Sequence, residues 1–199
     1  MKLMDILSLP LRFLLSNDRV DALGLTSVQE ERMRICARYA KEPVLDIGCG
    51  EGNLFIRRKG LNGQGLDIFP YRGVDICASS YYLPFKNGVF HTITFIGSLN
   101  YHENPGLALK EAKGVLNWEG RLLITNTNSL WSSIRHAFAW WKPEQYMIKK
   151  GMRYGFSNSE IIALLTSNGF IICKVVRYFL GISSLYVASP YAEGCNTKS

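Results

Sequence analysis

The sequence predicts an α/β protein built on a doubly wound, mostly parallel sheet with helices on both faces, and three observations carry that prediction. Val44-Leu45-Asp46-Ile47 is a short apolar run, interrupted by one acid, that enters Gly48, Gly50 and Gly52, the pattern of a buried parallel strand running into a turn. Gly63 to Ile68 forms a second strand about one helix further on, with Asp67 at its carboxyl end. The chain has 199 residues, 47% of them hydrophobic, enough for one domain with a full core.

The formal charge is +7, from 23 basic and 16 acidic residues, so an anionic partner such as RNA, a phosphorylated metabolite or a lipid headgroup surface is in keeping with composition. Five cysteines, Cys36, Cys49, Cys77, Cys173 and Cys195, are scattered without a C-x-x-C pair. That spacing argues against a disulfide framework or a zinc site and favours a reducing cytoplasm.

The first 15 residues, M-K-L-M-D-I-L-S-L-P-L-R-F-L-L, are apolar, but Asp5, Pro10 and Arg12 interrupt the run and it is too short to span a bilayer. Two placements stay open: a helix packed on its own domain, or one lying on a membrane surface. A further helix is expected from Thr26 onward, capped by Thr26 or Ser27, with Glu30 three residues past Ser27 and Arg32, Arg34 and Arg38 on its solvated side rather than in an anion site. Arg57, Arg58 and Lys59 are expected to cap the helix that follows the glycines and to stay in solvent.

Glycines at alternate positions remove the side chains that would keep a ligand off the backbone, and a helix starting near Asn53 would point free N–H groups at it. In a doubly wound sheet ligands gather beyond the carboxyl ends of the strands, where Asp67 can accept both hydroxyl hydrogens of a ribose. Asp46 would repel a pyrophosphate and attract an ammonium and a sulfonium. S-adenosylmethionine carries both, whereas the spacing G-x-G-x-G departs from the G-x-G-x-x-G of dinucleotide sites.

Taken with GLDIFP, LPFKNGVFHTITFIGSLNYHENP, LALKEAKGVLNWEGRLLITNTN and FSNSEIIALLTSNGF, the glycine segment VLDIGCGEGN resembles the class I S-adenosylmethionine-dependent methyltransferases of the small methyltransferase type 11 group, from about Val44 to Ala188. The resemblance implies a Rossmann-like, seven-stranded, mostly parallel sheet with an antiparallel C-terminal edge strand. Carried over by position, it puts Asp46, Gly48, Cys49, Gly50, Gly52 and Asn53 in the glycine loop, Asp67 on the ribose and Ile68 beside the adenine. Ser79, followed by Ser80, stands where the family usually has an acid for the adenine amino group, and His91 replaces another Asp at a position read as structural. Gly97, Ser98 and Asn100 fall in the loop over the methionine end, which closes on His102, a general base or a loop anchor.

A helix over 107–116 and a turn over 117–120 lead to the fifth strand, 121–125, with Gly120 expected to supply a positive φ. The stretch 126–156 is long for a connection and interleaves Trp131, His136, Phe138, Trp140, Trp141, Tyr146 and Tyr154 with Arg135, Lys142, Lys149, Lys150 and Arg153 against Glu144, giving +4. In the family this region lids the acceptor pocket. It suits an anionic glycolipid or polyprenyl-linked acceptor, a stacking nucleobase or a membrane surface, or else it is an ordinary amphipathic helix with snorkelling basic side chains. Ser157 and Glu160 form a capping box for a helix over 158–167. A hairpin over 170–178 and 183–189 then closes the sheet edge, and the tail from Pro190 is expected to be loose.

The whole chain, 1–199, is therefore read as one methyltransferase domain: N-terminal helices over 1–42, a cofactor-binding core over 43–127, an acceptor-side insert over 128–156, and a C-terminal helix and hairpin over 157–189. The expected activity is methyl transfer to a small-molecule, lipid-linked or glycan-linked acceptor, at oxygen, with His102 and His136 as candidate bases and Tyr154 as an orienting group. Peripheral contact with the inner membrane face through 1–15 or 128–156 belongs to that reading. The competing readings are an RNA methyltransferase, which the charge favours and the lack of any RNA-binding module opposes, and a methyltransferase-like scaffold without catalysis.

Overall fold

The structure is a computed structural model, which describes residues 8, 12, 15–129, 131, 133 and 155–195. Two helices precede the sheet, α1 (Asn17–Ala22) and α2 (Val28–Ala37). Strand β1 (Val44–Ile47) passes through a 3-10 turn (Glu51–Asn53) into α3 (Leu54–Lys59) and returns as β2 (Gly63–Asp67). Then come β3 (Ile76–Cys77), β4 (Phe90–Ile96), α4 (Pro105–Val115), β5 (Leu116–Thr127), α5 (Asn158–Ser167), β6 (Ile171–Tyr178) and β7 (Ser183–Ser189).

These strands form one seven-stranded sheet in the order β3-β2-β1-β4-β5-β7-β6. The first five are parallel, and β7 runs antiparallel to both β5 and β6. The hairpin thus closes the sheet with β7 inserted between β5 and the edge strand β6. Both faces are covered. Leu45, Ile47, Leu122, Ile124 and Tyr186 pack with Leu109, Ala112, Ile161 and Leu165 of α4 and α5, whereas Val44, Leu123, Leu185 and Val187 pack with Met33, Cys36, Phe55 and Ile56 of α2 and α3. Neighbouring residues of β5 and β7 take opposite sides, as the period of two requires.

Local signals hold where local chemistry decides. The Ser157–Glu160 capping box is complete, with Ser157 Oγ accepting the Glu160 N–H at 3.2 Å and Ser157 N–H donating to the Glu160 carboxylate at 2.8 Å. At α2 only half of such a box forms. Ser27 Oγ accepts the Glu30 N–H, but Glu30 turns to Lys59, and the Ser27 N–H goes to Asp21 at 3.2 Å. Lys59 is correspondingly drawn into an ion pair with Glu30, whereas Arg57 stays exposed as expected while pairing with Asp75 at 2.5 Å.

Three expectations need correction. Gly120 has no positive φ among the described residues; it is required because a Cβ there would lie 2.7 Å from the Asn117 carbonyl and 2.8 Å from Leu116 Cγ. Cys173 and Cys195 form a disulfide with Cα atoms 5.1 Å apart, a pairing set by β6 and the chain end meeting in space and invisible in sequence spacing. The tail is docked as far as Cys195 in consequence, with Gly194 buried and the Ser189 hydroxyl donating to Gly120 O at 2.8 Å.

In the N-terminal segment, Arg12 is fully buried, donating to Glu31 at 2.5 Å and to Thr26 O at 2.7 Å, with its guanidinium 4.9 Å from the Phe179 ring. At this residue the segment packs on its own domain rather than on a membrane. No helix among the described residues is long and apolar enough to cross a bilayer. Removing one partner of a buried ion pair strands the other charge in a poor solvent. Glu31→Ala should therefore lower the unfolding free energy by about 3 to 5 kcal/mol, read by denaturant titration, and a loss below about 1 kcal/mol would show that Arg12 is solvated.

Candidate functional site

The carboxyl ends of β1, β2 and β4 meet at the glycine turn. Gly48, Gly50 and Gly52 have φ of 72°, 65° and 80°, a region in which a Cβ is strained. Gly48 also needs to be small, since a Cβ would lie 2.5 Å from Ser98 Cβ; Ser98, buried at the end of β4, donates to Ile47 O at 2.6 Å. A Cβ on Gly50 would meet nothing within 4 Å, so this glycine faces open space.

The amides of the turn are not free, contrary to expectation. Gly48 and Cys49 donate to Leu66 O at 2.8 and 3.2 Å, Gly52 to Arg72 O at 2.7 Å, and Gly50 to the Asp67 carboxylate at 2.9 Å. A turn whose N–H groups are taken up by its own chain offers little to a phosphate. Asp67, 8% exposed, accepts the Gly50 N–H on one oxygen and the Phe69 N–H, at 3.0 Å, on the other, and each oxygen keeps a lone pair. An open carboxylate beside a turn whose amides are taken suits a neutral or cationic nucleoside better than a phosphate, and in that the residues present fit S-adenosylmethionine.

Asn53 does not belong with them. Its side chain is fully buried and donates to Asp75 at 2.7 Å, lying where a Cβ on Gly65 would be 2.4 Å away. Asp75, unremarked in the sequence, also accepts from Gly65 N at 2.8 Å and from Arg57. Gly73 Cα sits so close that a Cβ there would lie 3.0 Å from Gly52 Cα. The eight-residue β2–β3 link thus leans directly on the glycine turn, short of the dozen or more residues of a usual parallel crossover. It leaves Ile68 64% and Phe69 44% exposed. Ser79 Oγ accepts the Tyr81 N–H at 3.2 Å, Ser80 is buried, and Gly97 has φ 67°. Asn100 lies in the one-turn helix Leu99–Tyr101 after β4.

His102 closes that loop. Its Nδ1 is 3.1 Å from Ser98 O, and its ring stands edge-on to Phe95 and Tyr81. Burial lowers its pKa below the usual value, partly opposed by the hydrogen bonds to the Ser98 and Leu99 backbone, so the ring is neutral at pH 7, with the Nδ1 proton on the carbonyl and the lone pair on Nε2. His136 and Tyr154, like most of the insert, lie outside the described residues. The sequence also placed Arg32 in solvent, but its Nη2 reaches Thr127 Oγ1 at 2.6 Å.

Asp46 is 2% exposed and accepts from Thr94 Oγ1 at 2.5 Å. Burial pushes its carboxyl up to about 7 from 3.8, the Thr94 bond pulling it down and the Asp67 charge raising it further. The folded protein then holds a proton that the unfolded chain has released, so stability falls as pH rises from about 4 to about 7 and levels above. Unfolding titrations on both sides of that window should show this slope in the wild type and its loss in Asp46→Asn; a slope kept by the variant would assign it to other groups.

Residues 18–175 match the model of a methyltransferase domain family. Among curated proteins none matches the chain. Solved structures share the fold at low identity. A Thermotoga maritima protein described as a SAM-dependent methyltransferase and possible histamine N-methyltransferase is 19% identical, with 87% of this chain and 98% of that one covered and a TM-score of 0.61. The 1,6-didemethyltoxoflavin-N1-methyltransferase of Burkholderia thailandensis, solved with 1,6-didemethyltoxoflavin and S-adenosylhomocysteine, is 16% identical over 87% of this chain and 82% of its own, with a TM-score of 0.60. A Haloferax volcanii methyltransferase in complex with the Trm112 activator is 16% identical over 80% and 89%, with a TM-score of 0.62. With the match spanning most of its length, the chain belongs to the methyltransferase domain family and is an S-adenosylmethionine-dependent enzyme with a class I, Rossmann-like fold.

Proposed function

We propose that this enzyme methylates an oxygen of a small-molecule, lipid-linked or glycan-linked acceptor, with the donor held by Asp67, Gly48, Gly50 and the Gly97–Asn100 segment. Bound S-adenosylmethionine supplies a methyl group on a positively charged sulfur. The chain's own task is alignment and exclusion of water, since charge disperses during the displacement and little covalent chemistry is left to the protein. Asp67 fixes the ribose through its remaining lone pairs.

The observation that carries the choice of oxygen is His102. A hydroxyl must lose its proton to attack, and a neutral imidazole whose Nδ1–H is tied to Ser98 O has its Nε2 lone pair available for that proton. The small ligand bound by the Burkholderia enzyme supports a small acceptor. Contact with a membrane through 128–156 remains part of the proposal, while the burial of Arg12 weighs against contact through 1–15.

Asp67→Ala should weaken S-adenosylmethionine binding by about 1.5 to 3 kcal/mol, the worth of a hydrogen bond to a charged group, in calorimetry; an unchanged dissociation constant would remove Asp67 from the ribose. Incubation of a cell extract with methyl-labelled donor, followed by separation of small molecules, lipids and RNA, should place enzyme-dependent label in the first two fractions. Label confined to RNA would overturn the acceptor class. With an acceptor in hand, His102→Gln should cut kcat/KM by about 10²- to 10⁴-fold and abolish an acid limb lying below about pH 6.5. Full activity in that variant would leave His102 an anchor only.

A further inference from the structure

The face of the sheet beneath α2 carries a polar cluster beyond the donor site. Arg32 reaches from α2 over the ends of β4 and β5, where its Nη2 donates to Thr127 Oγ1 at 2.6 Å and a Cβ on Gly97 would lie only 2.7 Å from its Nη1. Thr127 Oγ1 is 3.0 Å from the Ser183 hydroxyl at the start of β7. Thr125, two residues earlier on the same face of β5, is 4% exposed, and Tyr178, at the end of β6, is 6% exposed.

Three buried polar atoms in this cluster have no well-formed hydrogen bond to a described residue: Arg32 Nε, Thr125 Oγ1 and the Tyr178 hydroxyl, the last lying close to Arg32 and Ser183. All three can donate. Arg32 has no ion pair with any described carboxylate. Burial pushes the Tyr178 phenol up to about 12, so it keeps its proton as a donor. A guanidinium with no described carboxylate beside it, flanked by hydroxyls that can turn to donate, favours a negatively charged ligand.

The place of the cluster in the sheet says which ligand meets that demand. In the order β3-β2-β1-β4-β5-β7-β6, Asp67 stands on β2 and the glycine turn follows β1, so a donor placed as above extends toward Gly97, just after β4. Thr125, Thr127, Ser183 and Tyr178 lie past that point, at β5, β7 and β6, and Arg32 bridges from Gly97 to Thr127.

We propose that Arg32, with Thr125, Thr127 and Tyr178, is a specificity site for an oxyanion, carboxylate or phosphate, carried by the methyl acceptor. This rests on the donor placement given above and narrows the acceptor class to anionic molecules. A guanidinium edge matches the two oxygens of either anion in a bidentate contact, which a lysine could not copy.

Nitrogen-resolved NMR of the arginine side chains of the whole protein, titrated with acetate and with inorganic phosphate, tests this. The Arg32 Nε–H signal should shift and saturate in the millimolar range, equally with and without saturating S-adenosylhomocysteine. Arg32→Gln should abolish the matching shift at the Gly97 and Thr127 amides, and Tyr178→Phe should weaken it by about tenfold or less; the second variant serves if the first does not fold. A signal that neither probe moves would overturn the proposal. So would displacement of both probes by S-adenosylhomocysteine, which would give the guanidinium to the donor's own carboxylate. Failure of S-adenosylhomocysteine to bind in calorimetry would instead sink the donor placement, with the titration of the ligand-free protein still deciding whether Arg32 takes an anion.

Discussion

The bond from Gly50 N–H to the Asp67 carboxylate constrains everything around the donor site. It joins the turn after β1 to the end of β2, and the other Asp67 oxygen holds the start of the next link through Phe69. Through its own carbonyl Asp67 also takes the Ala78 N–H, which fixes β3. One residue therefore sets the positions of three segments while keeping lone pairs for a ribose. The same bond uses up an amide that would otherwise favour a phosphate. Backbone hydrogen bonding thus leaves the turn poorly suited to a phosphate.

A second anchor lies behind the first. Asp75 gathers Asn53, Gly65 and Arg57, and the absence of side chains at Gly65 and Gly73 lets these segments close on one another. The short β2–β3 link has no helix to hold it, and this carboxylate supplies the rigidity instead. The price of so brief a link is a two-residue edge strand, which also gives a neighbouring chain little edge to pair with.

How much of this was legible depended on the range of the interaction. The strand at Val44–Ile47, the helix over 158–167 and its cap were legible because apolar pattern and capping act within a few residues. The position of Asp67, at the end of β2 beside the glycine turn, was legible because strand ends and glycine turns have a fixed relation in doubly wound sheets. Arg32 was misplaced because a helical cation looks solvated until β4 and β5 are known to end beneath it. The burial of Asn53 was not legible because its side chain turns to a residue 22 positions away. Gly120 was recognised as necessary for the wrong reason, conformation instead of crowding.

The Cys173–Cys195 bond makes a covalent ring of the last part of the sheet. Strand β7, which separates β5 from β6, lies wholly within that ring. A protease cut between the two cysteines would therefore leave both fragments attached, and the hairpin could keep its place in the sheet. The edge of the domain farthest from Asp67 is held by a bond whose lifetime is set by the surrounding thiol pool rather than by packing.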